Sequence, residues 1–96
     1  MKILKDEKFL HSLQSFLTHI VKDSVSQAII FDDELNHAIE NLVDMPYKFR
    51  QSYFYDNENV RDLIYKGYVV PYLVDSKNDV IVILNIFKNR PYLLKS

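Results

Sequence analysis

Apolar positions recur at three- and four-residue spacing from the ninth residue onward: Phe9, Leu10, Leu13, Phe16, Leu17, Ile20 and Val21. Lys8, His11, Ser12, Gln14, Ser15 and His19 fall between them. This period predicts an amphipathic helix of about four to five turns. Asp6 stands where an N-cap belongs, with acids in the first turn. The pattern breaks at Lys22-Asp23-Ser24, and Ser24-x-x-Gln27 reads as a capping box that opens a second helix. Val25, Ala28, Ile29, Phe31, Leu35, Ala38, Ile39, Leu42 and Val43 form its stripe, with Asp32, Asp33, Glu34, His37, Glu40 and Asn41 mostly opposite. Pro46 disfavours helix at Met45, so this helix should stop close to Asp44. A connection this short folds the two helices back antiparallel, with their stripes facing each other and a sheet.

The period then shortens. Val60 to Arg90 predicts three consecutive strands at about residues 61–65, 68–75 and 80–87. Lys66-Gly67, with the chain's only glycine, and the polar run Asp75-Ser76-Lys77-Asn78-Asp79 mark the turns. Val80 to Phe87 is almost wholly apolar, as a strand central in its sheet or covered on both faces would be. Pro71 is an anomaly inside the middle strand, because proline removes a ladder donor. Residues 1–5 can form a short strand. Residues 45–59 hold five aromatic residues and read as a packed loop. The expected order is β-α-α-β-β-β, an α+β fold with a helical hairpin on one face of a mainly antiparallel sheet.

Composition adds bounds. Ninety-six residues suit a single domain, and the absence of cysteine excludes disulfides and thiolate metal sites. No apolar run reaches membrane-spanning length, and the first residues carry no signal-peptide core, so no membrane association and a cytoplasmic location are expected. A net charge of −1 and a pI of about 6.3 leave any basic surface local.

Explicit chemistry is sparse. One glycine cannot build a nucleotide-binding loop, and no cofactor is expected. His11, His19 and His37 lie on predicted polar helix faces without a paired spacing, so no metal site is expected. Asp75 and Asp79 suit turns better than paired catalysis. What remains is a basic and aromatic set: Lys48, Arg50, Arg61, Lys66, Lys88, Arg90 and Tyr92. Arginines near strand ends can reach a phosphate or carboxylate. From composition alone the same residues are more simply explained as surface charges that keep a small protein in solution.

Several strings, in order, resemble the RelE/ParE family of toxins from bacterial type II toxin–antitoxin modules. They are Val43-Asp44-Met45-Pro46-x-x-x-Arg50, Val60-Arg61-Asp62-Leu63, Lys66-Gly67-Tyr68 continuing to Pro71-Tyr72-Leu73-Val74-Asp75, and Val80-Ile81-Val82-Ile83-Leu84 leading to Phe87-Lys88-x-Arg90. The resemblance implies a growth-inhibiting toxin, a cognate antitoxin and one of two targets. The antitoxin would lay an amphipathic helix or strand over an apolar groove between helices and sheet. The RelE-like branch cuts mRNA on the ribosome with a basic set on the sheet. Here Val60 and Asp62 stand where it wants lysines, and Val69 stands where it wants an arginine. Arg90 can fill the place after the last strand, and Tyr92 follows it too closely to match the tail tyrosine. The ParE-like branch poisons DNA gyrase by binding and needs none of that set. The chain is therefore placed nearer that branch, with no catalytic residue and with Arg61, Lys88 and Arg90 as target contacts. In the alternative, an mRNA endoribonuclease, Lys48, Arg50, Lys66 and Tyr92 would meet RNA.

Overall fold

The computed structural model describes residues 1–88. Its elements are β1 (Lys2–Lys5), α1 (Glu7–Asp23), α2 (Val25–Glu40), a 3-10 turn (Asn41–Val43), β2 (Val60–Tyr65), β3 (Tyr68–Asp75), β4 (Val80–Ile83) and β5 (Phe87–Lys88). Both helix starts are capped by the residues the sequence marks. Asp6 Oδ1 accepts the Lys8 N–H at 2.8 Å, and Ser24 Oγ accepts the Gln27 N–H at 3.2 Å. Ser24 also closes α1, its own N–H donating to the Ile20 carbonyl. One extended residue thus ends one helix and begins the next, which forces the antiparallel hairpin. Ahead of Pro46, α2 relaxes into the 3-10 turn and does not run on as α-helix to Asp44.

The sheet order is β1-β4-β3-β2, with β5 also on β3. The apolar strand β4 is central, as expected: it pairs parallel with β1 and antiparallel with β3. The expected single strand over residues 80–87 is interrupted at Leu84–Ile86, and Pro71 gives the reason. The Pro71 carbonyl accepts the Leu84 N–H at 2.9 Å, so the side of Pro71 that lacks a donor faces β4 and β5. The neighbouring chain leaves the ladder where no donor is offered and rejoins it at Phe87, opposite Val69.

Alternation along β3 divides the molecule. Tyr68, Val70, Tyr72 and Val74 face the hairpin and join Phe9, Leu13, Phe31, Leu35, Ile39 and Leu42 in one core. Val69 and Pro71 point to the opposite face, yet they too are buried. The loop after α2 accounts for this. The Asp62 N–H donates to the Arg50 carbonyl and the Ser52 N–H to the Val60 carbonyl, so this stretch runs along the outer edge of β2. The chain then folds over the face away from the helices, where the Phe54 ring meets Phe87 edge-on at 4.6 Å.

The helical stripes are narrower than expected. Leu10, Val21, Val25 and Ile29 lie at the solvent surface of the hairpin, Val25 and Ile29 being 60% and 64% exposed. The stripe drawn from spacing is wider than the face a two-helix layer can press onto a sheet. Leu35 is fully buried. Leu35→Ala should therefore cost about 2–5 kcal/mol of unfolding free energy. Ile29→Ala should change it by no more than about 0.5 kcal/mol. Urea titration of both variants reads the contrast.

Candidate functional site

The residues singled out from sequence fall into separate neighbourhoods. Arg61 lies at the start of β2 on the hairpin side, in register with Tyr72. Its Nη1 donates to the Phe49 carbonyl at 3.1 Å, and its guanidinium sits 4.9 Å from the Tyr47 ring centroid. Tyr72 donates its hydroxyl to the Pro46 carbonyl at 2.7 Å and meets Phe49 edge-on. Arg61 and Tyr72 together fasten the turn that leaves α2. Lys48, on that turn, is exposed with its ammonium 5.2 Å from the Phe49 ring.

Arg50 lies further along the same loop. Its Nη2 is 3.4 Å from Oδ2 of Asp62, and its guanidinium stacks 3.9 Å from the Tyr53 ring centroid. Asp62 is fully buried, and the same oxygen accepts the Tyr53 N–H at 3.1 Å. Asp62 Oδ1 and Arg50 Nε have no hydrogen-bond partner among the described residues. A buried carboxylate of this kind is held by what it accepts. It anchors the loop to the sheet.

Lys66 and Lys88 lie near the β2–β3 turn. Lys66 adopts φ +44°, beside Gly67 at +80°. The Lys66 ammonium donates to Glu34 Oε1 at 2.7 Å, and Tyr65 donates to the same oxygen at 3.2 Å. These donors hold the Glu34 carboxyl below its usual range, the Lys66 bond first. Lys88 is exposed at the end of β5, 5.8 Å from the Tyr68 ring. Arg90 and Tyr92 lie outside the described residues. Arg61 is thus placed around the α2 exit, and Lys66 and Lys88 at the Gly67 end. The basic set does not converge on one cleft among the described residues.

Sequence reasoning missed the anchoring role of Asp62. The signal was present: in VRDLIY it shares a face with Val60 and Ile64. An acid in an apolar row of a strand calls for a buried partner. Tyr53, Phe54 and Tyr55 are 66%, 40% and 37% exposed, more open than the packed loop expected of residues 45–59.

Shallow hollows indent the described surface. One of about 520 Å³ is lined by Glu7, Lys8, His11, Ser12 and Asn85, with Ser12 donating to Asn85 Oδ1 at 3.0 Å. Another, of about 280 Å³, lies over the β3–β4 turn beside Lys77. Among the described residues no group of three or more histidine and acidic side chains is placed to hold a metal ion. No helix among them is long and apolar enough to cross a membrane.

A mixed five-stranded sheet with a capped helical hairpin on one face is an α+β fold. The chain belongs to the family described as ParE toxin of type II toxin-antitoxin system, parDE, which matches residues 3–90. Among solved structures it is similar to a chain of the chromosomal ParDE toxin–antitoxin system from P. aeruginosa, with a TM-score of 0.77. The two share 19% identity, and the match covers 94% of this chain and 97% of that one. No curated protein sequence matches the chain.

The fastened turn has a pH signature. Burial pushes the Tyr72 hydroxyl up to about 12, with the nearby Arg61 charge pulling the other way. The unfolded phenol ionises near 10 and the folded one keeps its proton beyond that. The unfolded state then binds fewer protons, and stability falls as pH rises. This contribution is fully present below pH 10 and is lost toward pH 12, at about 1.4 kcal/mol per pH unit. Urea midpoints measured from neutral to alkaline pH should show that slope reduced in Tyr72→Phe. The variant should also lose about 1 kcal/mol at neutral pH with the Pro46 hydrogen bond.

Proposed function

We propose that this ParE-family toxin arrests bacterial growth by binding DNA gyrase and stabilising its cleavage complex with DNA. It acts without chemistry of its own, and a cognate antitoxin relieves it. One observation supports binding over RNA cleavage. Val60, Asp62 and Val69, which stand where RNA-cleaving relatives carry charge, are 3%, 0% and 0% exposed. All three face the side of the sheet that the loop covers. That face offers a bound phosphodiester no basic group at those places to stabilise a charged transition state. Of the proposed target contacts, Lys88 is free to reach a partner. Arg61 serves through the turn it holds, and Arg90 follows two residues after Lys88.

The antitoxin reading has its own support. Leu10, Val21, Val25 and Ile29 line the outer surface of the hairpin, and no other part of the described chain covers them. The space between hairpin and sheet, where the sequence suggests an antitoxin groove, is filled by the core. An amphipathic helix of the antitoxin fits the exposed stripe instead.

Purified toxin, added to gyrase and supercoiled plasmid, should yield linear DNA after protein removal. Unchanged plasmid topology together with mRNA cutting in a translation extract would reverse the reading in favour of the endoribonuclease. Separately, Ile29→Glu should leave toxicity intact, since the side chain is exposed, while making the antitoxin's rescue of growth at least about tenfold less effective. Equal rescue of both forms would remove the hairpin surface from the antitoxin site.

A further inference from the structure

The loop that covers the sheet carries a lobe, residues 53–58, whose outer surface no described part of the chain uses. Tyr53, Phe54 and Tyr55 expose aromatic area on it, and Ile64, 40% exposed, lies on the same sheet face. Ile64, Val69 and Phe87 are in register across β2, β3 and β5, and Phe54 packs on Phe87, so lobe and sheet form one apolar surface.

The lobe is built to hold its shape. Asp62 accepts the Tyr53 N–H, and Ser52 Oγ accepts the Phe54 N–H at 3.0 Å. Asn57 accepts the Asn59 N–H on its side chain at 2.9 Å and the Val60 N–H on its carbonyl at 3.0 Å. Aromatic groups already fixed in place lose little freedom when a partner binds.

Its charge selects the partner. Asp56 and Glu58 are exposed on the lobe, and the charge of Asp6 acts on Tyr55 there. The Tyr55 phenol keeps its proton above the usual range, first through burial and then through the charges of Asp6 and Asp62. Among the described residues the cation inside this surface is Arg50, and it is engaged by Asp62 and Tyr53. A nucleic-acid strand would meet carboxylates here and gain no phosphate neutralisation. A protein surface carrying arginine and lysine meets both requirements, because its cations pair with Asp56 and Glu58 and lie over the tyrosine rings.

We propose that the lobe is the docking surface for a basic, arginine- and lysine-bearing face of the target protein, a proposal that rests on the reading of the chain as a toxin that acts by binding. An enzyme that grips DNA displays such faces to hold phosphates, and the acidic aromatic lobe competes for one of them. Lys88, in register with Tyr68, faces the hairpin side of the sheet and lies outside this surface. The division separates the two partners in space. The antitoxin takes the outer hairpin, and the target takes the lobe on the far side of the sheet.

The test measures binding of the full chain to purified gyrase, by surface plasmon resonance at low and high salt, alongside plasmid linearisation. Tyr53→Ala and the pair Asp56→Asn with Glu58→Gln change exposed side chains, and circular dichroism melting checks that each variant folds. Tyr53→Ala should weaken binding about tenfold or more at either salt. The charge variant should bind more slowly at low salt and match the parent at high salt, because screening removes steering. Both should lose linearisation in proportion to binding. If the parent binds and linearises while both variants match it, the lobe proposal falls and the gyrase reading stands. If the parent neither binds nor linearises, both fall. Loss of affinity in the variants for plasmid alone, or for the antitoxin with gyrase binding unchanged, also overturns the proposal.

Discussion

Strand β3 must be covered on both faces, and the rest of the chain answers to that constraint. Tyr68, Val70 and Tyr72 are buried toward the hairpin, while Val69 and Pro71 are buried away from it. Two short helices can shield only one side of a sheet. The second cover is a loop, and a loop lies flat on apolar surface only where its backbone polar groups find partners. The Asp62 carboxylate, the Ser52 hydroxyl and the edge of β2 supply those partners. The polar core of the loop is therefore what allows the strand to be apolar on its far face. Losing Asp62 would strand the Tyr53 N–H and release the segment that shields Val69.

Much of this is legible in the chain, and the parts that are not share a cause. The helix caps Asp6 and Ser24 can be read because capping is local: each bond reaches two or three residues ahead. The central position of β4 can be read because a strand with one wet face alternates, and this run does not. The break at Leu84–Ile86 cannot be located from sequence, although Pro71 announces that a donor will be missing. Which neighbour lacks that donor depends on the side of β3 its carbonyl faces, a property of strand pairing. The spacing places Val25 and Ile29 in the core, and misplaces them for a similar reason. Spacing gives the direction of a stripe, and its usable width is set by the surface opposite. Arg61 reads as a strand-end arginine that could reach a ligand. Its actual partners, Phe49 and Tyr47, come from a turn whose course the sequence leaves open.

The candidate site is the least legible part because its members gain meaning only through placement. Lys48, Arg50, Arg61, Lys66 and Lys88 form one class in the sequence, as cations near aromatic residues. In the fold they divide by role. Arg50 and Arg61 hold the loop, Lys66 ties the β2–β3 turn to α2 through Glu34, and Lys48 and Lys88 remain at the surface. The aromatic residues divide likewise: Tyr72 and Phe49 face inward, Phe54 packs on Phe87, and Tyr53 is largely exposed. No residue type carries that distinction.

The same placement bears on why charge is missing from the sheet. An RNA-cleaving arrangement needs cations standing free above the strands, with water and substrate able to reach them. In this chain that side of β2 and β3 is roofed by the aromatic loop, and an acid sits beneath the roof. A lysine at Asp62 would face Arg50 with nothing to neutralise either, while the Tyr53 N–H lost its acceptor. An arginine at Val69 would have to displace Phe87 or Phe54 to reach water. Restoring the basic set would therefore mean opening the loop, and opening the loop would expose the far face of β3. The absent charges and the aromatic roof are two aspects of one arrangement.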